Sequence, residues 1–73
     1  MKTKIADELN QLYSTGDRVT NKELKQRIQL IYDRLGVKVK AKGTDIKKYG
    51  YSTKKVKILI DGKRIDGVEL IKN

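Results

Sequence analysis

The chain has 73 residues, 37% of them apolar and 37% charged, with a net charge of +9. That length makes one domain, residues 1–73, and folding buries only about 60% of the surface that a chain this short exposes when unfolded. Cysteine and histidine are absent, which excludes disulfides, thiol nucleophiles, His-based proton transfer and the usual zinc centres. No paired-carboxylate motif stands in for them, so a non-enzymatic protein without cofactor or metal is expected. No apolar run approaches the roughly 20 residues of a membrane span. Met1-Lys2-Thr3-Lys4 leads to Asp7 and Glu8, not to the apolar block of a signal peptide. These features suit a cytoplasmic protein.

Residues 2–14 read as a helix, because Ile5, Leu9, Leu12 and Tyr13 follow i, i+4, i+7, i+8 spacing and Ala6 widens the stripe. Gly16 suits a left-handed helix cap. Residues 17–20 are too few for a helix; with Val19 as their apolar anchor they read as a short strand at a sheet edge. Thr20-Asn21-Lys22-Glu23 fits the capping box, in which hydroxyl and carboxylate reciprocally satisfy free backbone N–H groups at a helix start. The helix it opens runs to Leu35 on a stripe of Leu24, Ile28, Ile31 and Leu35, with Tyr32 beside it, Leu30 off it and Gly36 ending it.

Residues 37–42 alternate apolar and basic, a pattern that a strand also produces. The preferred reading is a turn into a third helix over residues 40–49. Its apolar side is Ala41, Ile46 and Tyr49, with Val39 tucked in ahead. Gly43 weakens that helix by about 1 kcal/mol relative to Ala. Residues 51–60 and 64–71 then read as a β-hairpin around Asp61-Gly62, a dipeptide favoured in type I′ turns. Gly67 is expected to mark a bulge.

The order helix, short strand, helix, helix, strand, turn, strand is that of an α+β winged helix-turn-helix: three helices, a C-terminal hairpin wing, and a short strand between helices 1 and 2. The charge is placed to match. Residues 37–64 carry ten Lys/Arg against two acids, whereas residues 1–36 carry seven against five. Lys38, Lys40, Lys42, Lys47 and Lys48 lie on the third helix and its approach; Lys54, Lys55, Lys57, Lys63 and Arg64 lie on the hairpin. A localised basic surface points to a polyanion, nucleic acid ahead of an anionic membrane. The competing reading of so much lysine is solubility alone. Lysines are point charges that neutralise phosphates and release counterions. The third helix offers Thr44, Asp45, Lys47 and Lys48 to a groove and lacks the Arg, Asn or Gln of base reading, so sequence specificity should be weak. Thr44 serves equally well as a helix-internal residue or as the N-cap of a shorter helix starting at Asp45. Tyr49 and Tyr51 could stack on single-stranded bases, but core closure and strand initiation are the favoured roles.

Two segments, YSTGDRVTNKELK (13–25) and IYDRLGVKVKAKGTDIKKY (31–49), resemble the C-terminal winged helix module of phage and plasmid primase-helicases of the poxvirus type. With the hairpin the likeness spans residues 13–71. Its most recognisable piece is Lys40-Ala41-Lys42 followed by Thr44-Asp45-Ile46 and Tyr49. Gly43 departs from the small helix-forming residue expected there. In that family the module follows an ATPase core and assists DNA engagement, so the resemblance implies a DNA-binding part of a mobile-element replication or regulatory protein. No Gly-x-x-x-x-Gly-Lys-Ser/Thr loop is present, and no ATPase activity carries over.

The expected partner is DNA, duplex ahead of single-stranded, with a replication or regulatory protein as a second partner. The chain is expected to be a monomer or a weak homodimer; a dimer would need an exposed apolar patch, for which Leu30 and Leu59 are the candidates. The alternative is a winged helix that binds protein, such as a phage-encoded inhibitor or an excisionase-like architectural factor.

Overall fold

The computed structural model describes residues 2–73. Among them it shows three helices and a three-stranded antiparallel sheet, an α+β arrangement. Helix α1 spans Lys2–Leu12. Ile5 and Leu9 are buried, and Tyr13 follows them into the core with its N–H still bonded to the Leu9 carbonyl at 2.8 Å. The helix ends at Leu12 rather than at residue 14, and Leu12 faces solvent instead of the core. Ser14 and Asp17 explain the early stop. The Ser14 N–H donates to the Asp17 carboxylate at 2.7 Å and the Asp17 N–H returns to the Ser14 carbonyl at 3.1 Å, a local turn that competes with helix. Gly16 belongs to this turn and is not a helix cap. Its φ of 95° lets its N–H reach the Leu70 carbonyl at 2.8 Å.

Strand β1 is Arg18–Thr20, the expected short edge strand, with Val19 buried. Helix α2, Asn21–Arg34, begins at the expected cap, where the Thr20 hydroxyl accepts the Glu23 N–H at 3.1 Å; among the described residues only this half of the capping box forms. Leu24, Ile28, Ile31 and Tyr32 are buried and Leu35 packs against them. A Schellman motif closes the helix. The Val37 N–H reaches the Tyr32 carbonyl at 2.8 Å and the Gly36 N–H reaches that of Asp33 at 3.3 Å.

The third helix differs from expectation. It is a 3₁₀ helix, Gly43–Tyr49, starting three residues after Lys40 and preceded by an extended Lys42. Two side chains hold the approach open. Gln29 accepts the Ala41 N–H at 2.8 Å, and Asp45 reaches back to the Lys42 N–H at 3.2 Å. Ala41 is buried, but Val39 is exposed and not tucked in. A 3₁₀ helix has three residues per turn, so side chains three apart eclipse. Ile46 and Tyr49 accordingly share the core face, Asp45 and Lys48 a second, and Thr44 and Lys47 the third.

Strands β2 (Tyr51–Ile60) and β3 (Lys63–Lys72) form the hairpin, and β3 lies between β1 and β2. Asp61 and Gly62 both have positive φ, 51° and 77°, as a type I′ turn requires. The register runs unbroken through Gly67, opposite Val56 on one side and Thr20 on the other. Gly67 therefore marks no bulge. A Cβ there would lie 2.3 Å from Ile58 Cδ1 and 2.6 Å from the Val19 carbonyl oxygen, so the position is glycine because a side chain and a backbone crowd it.

Directly paired residues share a face of the sheet. Tyr51, Leu70, Val68 and Val19 face the helices, and Lys54, Val56, Ile58 and Ile65 lie on the outer face. Tyr51 is 1% exposed, and its hydroxyl meets the Leu9 and Tyr13 carbonyls at 2.9 and 3.1 Å and the Asn10 side chain at 3.0 Å. Among the described residues, no helix is long and apolar enough to cross a membrane.

Candidate nucleic-acid interface

Helix α2, the 3₁₀ helix and the helix-facing side of the hairpin enclose an open cleft of about 1030 Å³. From α2 it takes Asn21, Lys22, Leu24 and Lys25; from the 3₁₀ helix and its cap, Lys42, Gly43, Thr44 and Lys47. The hairpin supplies Thr53, Lys55, Lys57, Asp66 and Val68. Six lysines thus face one aspartate across apolar packing. The amino ends of the two helices adjoin, since a Cβ at Gly43 would lie 3.9 Å from the Asn21 carbonyl oxygen. The start of α2 adds the positive end of its dipole to the lysines.

Local structure sets the direction in which each basic side chain points. Strand alternation sends Lys55 and Lys57 to the helix-facing side, Lys55 opposite the half-buried Val68. Three-residue periodicity stacks Lys47 over Thr44. Lys22 and Lys25 stand on the first turns of α2 beside Leu24, whose own side chain is buried. Lys57 is held by an exposed ion pair with its cross-strand neighbour Asp66, and the hydrogen bond from Lys57 keeps the Asp66 carboxyl below its ordinary range.

Of the residues expected at the interface, the cleft brings together Lys42, Thr44, Lys47, Lys55 and Lys57. Lys38 and Lys40 are exposed on the connector between the helices and do not line it. Asp45 is not offered to a groove. It is 4% exposed and accepts from Lys42, Tyr32 and, at 3.5 Å, Lys48. Lys48 is thereby turned towards Asp45 and away from the cleft lining. Lys54 lies on the opposite sheet face, in register with Glu69, which is paired to Arg18 at 3.0 Å. Lys63 and Arg64 flank the hairpin turn, with Arg64 on the cleft side of the ribbon and Lys63 on the other. Tyr51 is buried and Tyr49 is half-buried against Tyr32, so neither stands free for base stacking.

No family model, curated protein or solved structure matches the chain. The cleft's chemistry is therefore defined by its own lining. The lining is more apolar than polar, and its polar residues are the six lysines, Thr44, Thr53, Asn21 and Asp66, a set dominated by types that suit phosphate oxygens more than base edges. Asn21, Lys22 and Lys25 were not among the residues expected here. Their signal was present as an i, i+3 pair of lysines off the apolar stripe of α2, but the adjacent Glu23 and the lower charge density of residues 1–36 masked it.

Proposed function

We propose that the chain is a non-enzymatic winged helix DNA-binding protein that seats duplex DNA over the lysine-lined cleft. The observation that carries this reading is the convergence of six lysines from three separate elements onto one concave surface. Local charge excess for solubility alone gives no reason for such convergence. The element order, with β1 beside β3 and a long hairpin after the third helix, supports the winged helix reading. The short 3₁₀ helix supports backbone binding over base reading. Seven residues at about 2 Å rise span roughly 14 Å, with one eclipsed row facing the cleft. Assignment to a mobile-element replication or regulatory protein rests on the motif resemblance of residues 13–71.

The test uses fluorescence anisotropy with labelled duplex and single-stranded DNA across a salt series. Duplex binding should fall steeply with salt. Lys47→Gln and Lys55→Gln should each weaken it, and each should reduce the logarithmic salt slope by about 0.9 for every phosphate left unneutralised. Lys54→Gln, one residue from Lys55 but on the other sheet face, should change little. Equal losses at Lys54 and Lys55 would mean that net charge, not the cleft, does the binding. No binding of either DNA form at low salt would end the reading.

A further inference from the structure

The hairpin continues past the cleft. Strand β1 covers β3 only at Gly67–Glu69, so the pairs from Lys57↔Asp66 to Ile60↔Lys63 form a two-stranded ribbon with no third strand beside it. Four such pairs at about 3.3 Å rise reach roughly 10 Å beyond the covered sheet. A ribbon in water is expected to be polar at its tip, and this one carries exposed apolar side chains on both faces. Leu59 stands on the cleft side at 70% exposure, paired with Arg64; Ile60 and Ile65 stand on the other side at 40% and 39%. Lys57, Lys63 and Arg64 surround them. Lys55, Lys57 and Leu59 alternate along one face, so the track of cations that lines the cleft runs directly into Leu59. Nothing in the packing of the chain needs a leucine there.

We propose that Leu59 is an apolar wedge that enters the minor groove of duplex DNA held over the cleft, partly unstacks one base step and bends the duplex. The proposal rests on the DNA-binding reading above and adds to it a deformation that lysine–phosphate pairing alone does not produce. The chemistry is general. Aliphatic side chains inserted from the minor groove unstack and kink a step, and flexible A·T-containing steps yield at least cost. The cations beside Leu59 are placed to meet the phosphates flanking the opened step, and the exposed tip carries no other apolar side chain on that face.

The test is an A·T-rich duplex carrying 2-aminopurine at successive steps and a donor–acceptor pair at its ends. Binding of the wild type should raise 2-aminopurine fluorescence and shorten the end-to-end distance. Leu59→Ala, at an exposed position, should keep the wild-type melting temperature and the salt slope, bind roughly tenfold more weakly, and abolish both signals. Leu59→Phe should retain them. Salt-dependent binding with neither signal, or both signals surviving in Leu59→Ala, would overturn the wedge while leaving the cleft reading intact. Absence of any duplex binding would overturn both. Leu59-dependent sedimentation with phosphatidylserine vesicles, without base unstacking, would give the tip to a lipid surface and also overturn the wedge.

Discussion

The Tyr32 hydroxyl donates to the Asp45 carboxylate at 3.0 Å, joining helix α2 to the 3₁₀ helix inside the core. Tyr49 completes the joint, its hydroxyl 2.9 Å from that of Tyr32 and its ring edge-on to it, with centroids 6.4 Å apart. Because the Tyr32 O–H is donated to Asp45, Tyr49 is the donor to the Tyr32 oxygen. These bonds fix the rotation of the 3₁₀ helix about its own axis, and so aim Thr44 and Lys47 into the cleft.

That joint makes stability depend on the Asp45 charge. Burial opposes ionisation of Asp45, but the Lys42 N–H, the Tyr32 hydroxyl and Lys48 outweigh it and hold the carboxyl below its ordinary value. The folded state therefore binds its proton less readily than the unfolded chain. The stabilisation is whole at neutral pH and is lost as pH falls from about 4 through the folded-state value. Asp45→Ala should cost about 2–3 kcal/mol at neutral pH, because Tyr32 and the Lys42 N–H lose their acceptor. Thermal melts between about pH 2 and pH 7 should show the gap between wild type and Asp45→Asn narrowing below about pH 4.

Tyr51 plays the matching role between the sheet and α1. Its hydroxyl sits among the Leu9 and Tyr13 carbonyls and the Asn10 side chain at the C-terminal end of that helix. Tyr51→Phe keeps the ring and removes this anchor. The expected cost is about 1 kcal/mol, or roughly 4–8 °C in melting temperature for a domain of this size. Hydrogen exchange should quicken first at the Tyr13 N–H, whose bond to Leu9 closes the helix. An unchanged melting temperature would show the anchor to be redundant.

What was legible in the chain was whatever local chemistry determines. Thr20 and Glu23 marked the start of α2, Gly36 its end, and Asp61-Gly62 the hairpin turn, because each is decided within a few residues. The third helix is not legible in the same way, because Ile46 and Tyr49, three apart, fit α and 3₁₀ geometry equally. The deciding bonds come from Gln29 and Tyr32, more than ten residues away. Lys54 and Lys55 looked alike as charges, and only the pairing of β3 with both neighbours shows which of them meets the cleft. Lys22 and Lys25 join it because β1 docks on β3 and brings the start of α2 across the sheet, an arrangement no local pattern encodes.

Gly67 shows how a strand glycine can mislead. Its missing side chain admits Ile58 from one side and the Val19 carbonyl from the other. Gly67→Ala should destabilise the domain by about 1–3 kcal/mol, as overpacking does. Trimming Ile58 to Ala in the same chain should recover only part of that loss, because the Val19 carbonyl is backbone and cannot retreat without opening the β1–β3 ladder. Denaturant unfolding of the two single variants and the double variant checks this, and full recovery would show Ile58 to be the whole obstacle.

Asp66 is the one acidic side chain among the cleft-lining residues, and it occupies Lys57. Both partners are largely exposed, with side chains 63% and 72% accessible, so solvent screens the pair and it adds little to folding. Its effect falls on binding instead: a phosphate approaching Lys57 competes with a carboxylate that also repels it. Asp66→Asn removes the competitor and the repulsion while preserving size and shape. The melting temperature should stay where it is, and duplex affinity at low salt should rise roughly two- to fivefold, with the salt slope steeper by up to about 0.9 as Lys57 takes up a phosphate. The increase should vanish in Asp66→Asn combined with Lys57→Gln. If Asp66→Asn binds no more tightly than the wild type, Lys57 does not meet the DNA backbone and the DNA-binding face stops short of Lys57.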